Sequence, residues 1–257
     1  MLYPAISSYW NSRTQSEAIV DYEKMLANIP IEDYDEYFAN AQKYNKELSE
    51  LKHPLLEYDQ VPGYYDVLNI DGKGMIGYLT IDVIGVELPV YHGTSESVLN
   101  IAAGHLQGTG FPVGTIGSHS VVSAHRGLPN ATLFTKLDHL EIGDTFEFTI
   151  LNKTVTYQVD QIKVVKPDET QDLMIDPEQD YCTLLTCTPY TINTHRLLVR
   201  GVKVDSAAHK KLYVTADAHQ IDSLIVTPIV ALPILFTLMI IVLLKPVKKD
   251  DLGDDLE

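Results

Sequence analysis

The sequence predicts a mainly β domain, preceded by a helical extension and followed by one membrane-spanning helix. Three observations carry this. From Met75 onward, short β-prone runs are punctuated by Pro and Gly, as in a compact barrel or sandwich. Residues 12–50 place apolar side chains at helical spacing between charged ones. Residues 224–244 are 21 consecutive positions without a charge.

The chain has 257 residues, enough for one sizeable domain with appendages, and is 45% apolar and 21% charged, ordinary for a globular protein. A net charge of −16 argues against a phosphate-backbone partner, which needs a basic surface, so no nucleic acid is expected. No acidic cluster has the ligand spacing of a calcium loop, and neither a metal nor another cofactor is expected.

Along the chain, a first helix ends at Pro30, and a second runs from Asp33 to about Leu51. Its stripe of Tyr34, Tyr37, Phe38, Ala41 and Tyr44 reads as a packing face. Residues 52–66, with Pro54, Pro62 and Gly63, read as a loop. Gly72, Gly74 and Gly77 fit a dinucleotide-binding pattern, but a strand rather than a helix follows, so they read as a turn. Thr94-Ser95 predicts a helix over 96–103 stopped by Gly104, and a second short helix is expected in 132–140. Residues 205–223 read as a polar stalk.

At 1.5 Å per residue the run 224–244 is roughly 30 Å long, the thickness of a bilayer core. It has no polar face, as a soluble helix of that length would. Lys245, Lys248 and Lys249 follow it, whereas residues 214–223 contain no Lys or Arg, so the tail 245–257 is expected inside the cell and the large domain outside. Three Lys against five acidic residues give the tail −2, leaving −14 on the rest. An exported domain needs a signal, and Met1-Leu2-Tyr3-Pro4 begins none, so a hydrophobic segment is expected ahead of this sequence.

Cys182 and Cys187 lie five apart in a β-prone run, roughly 16 Å and on opposite faces of a strand, which excludes both a disulfide and a shared metal. Cys187 ends that strand before Thr188-Pro189-Tyr190, where backbone leaves the sheet and functional residues concentrate. A thiol becomes a nucleophile beside a group that favours the thiolate, most often His. Of nine histidines His125 is placed best, closing the run Val121 to Ala124 before Arg126-Gly127-Leu128-Pro129. Alternation puts Arg196 and Arg200 on one strand face, where either could stabilise an oxyanion or form a rim salt bridge.

Thr183-Leu184-Leu185-Thr186-Cys187, with TPYTINTHRLLVRG after it, resembles the TLxTC signature of sortases and its downstream arginine. Ser123 to Pro129 resembles the segment around the family histidine, and residues 91–114 and 133–144 are similar to class C, pilus-assembling sortases. The likeness covers roughly residues 75–204 and the membrane anchor. It implies an eight-stranded β-barrel over 67–204, a helical extension or lid region over 1–66, and roles for Cys187 as nucleophile, His125 as general acid/base and Arg196, nine residues after the Cys, in oxyanion stabilisation. The implied partners are pilin subunits bearing LPxTG-like sorting signals. Class C sortases usually carry an Asp-Pro-aromatic lid anchor; this chain has His53-Pro54-Leu55 and Tyr58-Asp59 instead. A cell-wall-anchoring sortase, an extracellular cysteine peptidase and a non-enzymatic membrane-tethered scaffold are the rival readings. A sortase substrate is excluded, because no LPxTG-like motif precedes residue 224.

Overall fold

The period-two runs fold into eight strands: β1 (Met75–Ile81), β2 (Val86–His92), β3 (Ala103–His105), β4 (Ser118–Ser123), β5 (Thr145–Ile150), β6 (Lys153–Val165), β7 (Asp180–Thr188) and β8 (His195–Val204). In this computed structural model, which describes residues 3–70, 72–128, 131–190, 192–205, 236–237 and 239–240, they close into one barrel in the order β1-β2-β3-β4-β7-β8-β6-β5. Closure leaves no strand edge unpaired. β2 with β3 and β4 with β7 are parallel, and the other pairs are antiparallel.

Alternation sorts the strands into an inner and an outer face. Phe146, Phe148, Tyr157, Cys182, Leu184 and Val199 belong to the main core and are almost fully buried. Val121 and Leu198, of the opposite parity, form a separate apolar cluster with Leu173, against which Leu55, Leu106, Val165 and Leu185 pack. That second cluster lies on the outer face.

The helical extension consists of α1 (Tyr3–Leu26) and α2 (Ile31–Ser49), with Pro30 capping the second. The aromatic stripe packs as expected: Tyr34, Phe38, Ala41 and Tyr44 are buried in the barrel's core cluster, with Tyr37 partly so. Asn45 fastens the helix by donating to the Phe111 carbonyl (2.9 Å) and accepting from the Phe111 N–H (2.7 Å). The Tyr22 hydroxyl of α1 donates to the Ile76 carbonyl (3.1 Å) and accepts from Leu151 N–H (3.0 Å). The loop expected over 52–66 contains a single turn, α3 (Pro54–Glu57), and a 3-10 turn at Tyr58–Gln60.

Two expected helices are shorter than the sequence suggested. α4 spans only Glu96–Leu99, because Ala103 and Gly104 pair in parallel with Val90 and Tyr91 of β2. Residues 132–140 hold just a 3-10 turn at Leu137–His139; Leu133 has a left-handed φ of +36°, and the Phe134 N–H is taken by the distant His125 carbonyl, so no helix starts there. The stalk 205–223, apart from Asp205, and the tail 245–257 lie outside the described residues. So does the expected span 224–244, apart from Phe236, Thr237, Met239 and Ile240, which are helical. Among the described residues no helix is long and apolar enough to cross a membrane.

Candidate active site

β7 and β8 pair in antiparallel register with Cys187 directly opposite Arg196 and Leu185 directly opposite Leu198. Directly opposed residues share a sheet face, so Cys187 and Arg196 stand on the outer face, next to the apolar cluster that contains Leu198. Cys182 is fully buried on the inner face against Ser120 of β4; both cysteines are free. Burial pushes the Cys182 thiol well above its ordinary value, which leaves it unreactive.

β4 lies parallel to β7 with Val121 beside Thr183 and Ser123 beside Leu185. The ladder continues past the named strand: Ala124 N–H donates to the Leu185 carbonyl (3.2 Å), and the Thr186 hydroxyl donates to the Ala124 carbonyl (2.8 Å). The same register carried forward brings His125 level with Cys187, on the face occupied by Val121. Cys187, His125 and Arg196 are all partly exposed.

Three other histidines of the barrel are engaged elsewhere. His105 lies fully buried between Tyr64 and the Gly110 carbonyl, and burial lowers it to about 3. His119 sits between the Met174 carbonyl and the Thr183 hydroxyl, lowered by burial to about 4. His92 is held between the carbonyls of Gly74 and Val67 and is likewise lowered by burial. Neutral and locked, none of these can exchange protons with a substrate at the outer face.

The two arginines also separate. Arg200 makes a bidentate pair with Asp160 (Nε–Oδ1 3.1 Å, Nη2–Oδ2 2.6 Å) and lies over the Tyr181 ring at 4.1 Å. Asp160 occupies the bulge where the β6–β8 register shifts between Val159 and Gln161, and bulges commonly re-aim a side chain in this way. Arg196 has no carboxylate partner among the described residues; its Nη1 donates only to the carbonyls of Asn193 (3.2 Å) and His195 (3.1 Å). A guanidinium held by backbone alone keeps donors for an incoming oxyanion.

α3 reaches the outer face beside these residues. Leu55 packs on the outer apolar cluster, and the backbone of Pro54 and Leu55 lies against Gly108. Among the described residues nothing from 45–70 hydrogen-bonds to Cys187, His125 or Arg196. A cleft of about 940 Å³ between α2 and the segments around Ile116 and Met174 includes none of the three.

A sortase domain model matches residues 79–204, which is β1 through β8 apart from the first strand's opening residues. Sortase C1 from Streptococcus agalactiae is 45% identical, with a TM-score of 0.67 over 74% of this chain and 98% of that one. Clostridium perfringens sortase C, solved with the C-terminal cell wall sorting motif, is 44% identical, with a TM-score of 0.65 over 74% and 99%. Sortase D of Bacillus subtilis (strain 168) is 30% identical over 115 residues, 45% of this chain and 55% of that protein, so the match spans about half of that relative. With a closed eight-stranded barrel and this likeness in sequence and structure to solved sortase C proteins, the chain belongs to the sortase family of cysteine transpeptidases.

Proposed function

We propose that this chain is a class C sortase: it cleaves an LPxTG-like sorting signal between Thr and Gly and transfers the acyl group to a pilin lysine. What supports the reading is the register that pairs Cys187 with Arg196, together with the tie of Ala124 N–H to the Leu185 carbonyl just before His125 on the adjoining strand. The sortase C neighbours favour the pilus-assembling class over a cell-wall-anchoring one.

In this mechanism the Cys187 thiolate attacks the Thr carbonyl carbon and Arg196 donates to the oxyanion as it forms. The C–N bond to Gly then breaks, His125 delivers a proton to the leaving amine, and a thioester remains. A lysine amine, deprotonated by His125, attacks the thioester, forms the isopeptide bond and releases the thiolate. With 224–244 as a membrane anchor and the barrel outside the cell, enzyme and membrane-retained substrates share one surface.

Replacing Cys187 with Ala is expected to abolish both the acyl-enzyme and the isopeptide-linked pilin ladders in cells. Ladders persisting with Cys187→Ala as the sole sortase would remove the assignment. Offering a lysine peptide or a cell-wall-precursor amine to the purified acyl-enzyme separates the pilus-assembling from the cell-wall-anchoring activity. Release by water alone would identify a peptidase.

A further inference from the structure

His125 has a conspicuous gap in its surroundings: among the described residues no side chain hydrogen-bonds to its ring, and no carboxylate orients it as the third member of a nucleophile–base–orienter set. Its direction must come from the backbone that carries it. That backbone is held at Ala124, His125 and Gly127, and the Arg126 side chain adds a fourth tie. On the near side, Ala124 is tied to β7 through Leu185 and the Thr186 hydroxyl. On the far side, the His125 carbonyl accepts from Phe134 N–H (3.1 Å), and Gly127 N–H donates to the Thr135 hydroxyl (3.1 Å). Between these, Arg126 turns back and its Nη2 meets Asp138 Oδ2 at 2.5 Å.

Arg126 is more enclosed than a surface ion pair requires. Its side chain is 12% exposed against 39% for Asp138, and its Nε has no partner among the described residues. An enclosed guanidinium with one donor unmet is costly, so the pair does not explain itself as a stability device. A second contact reaches the same segment from the other side of the site. The Tyr190 ring, three residues after Cys187, lies against Gly127; a Cβ there would stand 2.5 Å from its Cε2. Gly127 has φ +76°, and half of Tyr190 is exposed, so this ring rests on the His125 segment rather than filling the core.

We propose that the Arg126–Asp138 pair and Tyr190 form a clasp that positions His125 against Cys187, taking the place of an orienting carboxylate on the imidazole. Arg126, Asp138 and Tyr190 are positioning residues, with Asp138 acting through Arg126 and Tyr190 through Gly127. The inference rests on the reading of Cys187 and His125 given above. Its consequence is that losing either half of the clasp loosens the histidine without touching the thiol or the oxyanion donor. A misplacement on the order of 1 Å is enough to cost roughly 100-fold in a proton-transfer step.

The test uses the full chain and variants Asp138→Asn, Tyr190→Ala, Tyr190→Phe and His125→Ala. Two readouts are taken: the pH dependence of Cys187 alkylation by iodoacetamide, which needs no substrate, and kcat and KM for an LPxTG-type peptide. Asp138→Asn and Tyr190→Ala are expected to shift the alkylation profile toward that of His125→Ala. They should also lower kcat by roughly 10- to 100-fold with KM changed less than about threefold. Tyr190→Phe, which keeps the ring, is expected to behave as the unmodified protein. Should Asp138→Asn fail to fold, the two Tyr190 variants decide alone. If His125→Ala leaves alkylation and turnover unchanged, the assignment of the site falls. If His125→Ala removes activity while Asp138→Asn and Tyr190→Ala match the unmodified enzyme in both readouts, the clasp falls and the site stands.

Discussion

Two arginines four residues apart on one strand face differ in what the neighbouring strand brings to them. Arg200 is satisfied by Asp160 at the β6 bulge and by the Tyr181 ring, whereas Arg196 is left with two carbonyls beside Cys187. Arg196→Ala is therefore expected to reduce kcat by roughly 100- to 1,000-fold, the loss of one oxyanion donor, with the unfolding midpoint unchanged. Arg200→Ala should do the reverse: kcat within a few-fold, and a stability loss of about 1–3 kcal/mol from the broken bidentate pair and the uncovered ring. Peptide cleavage and urea unfolding of both variants check this; a catalytic collapse in Arg200→Ala alone would exchange their roles. The alternation that put both arginines on one face was legible in the sequence. Asp160 was not, because its place beside Arg200 depends on a register shift in a strand 40 residues away. Cys187 could be singled out by its position at a strand end, but position ranked His125 only weakly and left Arg196 level with Arg200 until the family resemblance was added. Their spacing of 62 and 9 residues from the Cys means nothing until the β4–β7 and β7–β8 registers are known.

At the level of elements, local periodicity succeeded where packing agreed with it and failed where distant partners intervened. The α2 stripe became a buried face because nothing competes with helix formation over Ile31–Ser49. Ala103 was drawn from a predicted helix into a strand by parallel pairing to β2, and in 132–140 the left-handed backbone of Leu133 and the bond from Phe134 N–H to the His125 carbonyl keep a helix from starting. That segment anchors the His125 loop, so the misread element is the one that bears on the site. α2 bears on the fold through Asn45, whose side chain spans the N–H and carbonyl of Phe111 inside a cluster of rings from Tyr44, Tyr64, His92 and His105. Truncation to Ala leaves the buried Phe111 N–H unpaired, while the Phe111 carbonyl keeps its bond from Val113 N–H. Asn45→Ala is expected to cost about 1–3 kcal/mol in urea unfolding, with little change in turnover of the folded fraction. A loss below about 0.5 kcal/mol would mean that the aromatic stripe alone docks the helix.

For the molecule as a whole, closure of the barrel was the least legible feature, since it depends on β1 meeting β5 and on β4 running parallel to β7, pairings that no local pattern announces. Closure also encloses polar groups. Ser118 lies beside Asp180 and Ser120 beside Cys182, all on the inner face, and Tyr157 donates to Asp180 Oδ1 at 3.1 Å. Asp180 Oδ2 and the Ser118 hydroxyl have no hydrogen-bond partner among the described residues. Burial pushes the Asp180 carboxyl from 3.8 up to about 7, opposed only in part by the Tyr157 hydrogen bond and the charge of Lys203. The folded state thus holds a proton that the unfolded chain releases near pH 4. Between about pH 4 and pH 7 the folded state binds the extra proton, so stability falls as pH rises and levels off above the folded value. The loss over that window has an upper limit of roughly 4 kcal/mol. Asp180→Asn removes the titrating group while keeping its shape. Its melting temperature is expected to match the unmodified protein near pH 4 and to exceed it by several degrees at pH 8, where the native carboxylate is charged inside the barrel. Repulsion among the other acidic groups changes almost equally in both proteins, so the difference between the two melting curves isolates Asp180. Curves that run parallel from pH 4 to pH 8 would mean that the carboxyl is solvated or paired, and not held neutral by burial.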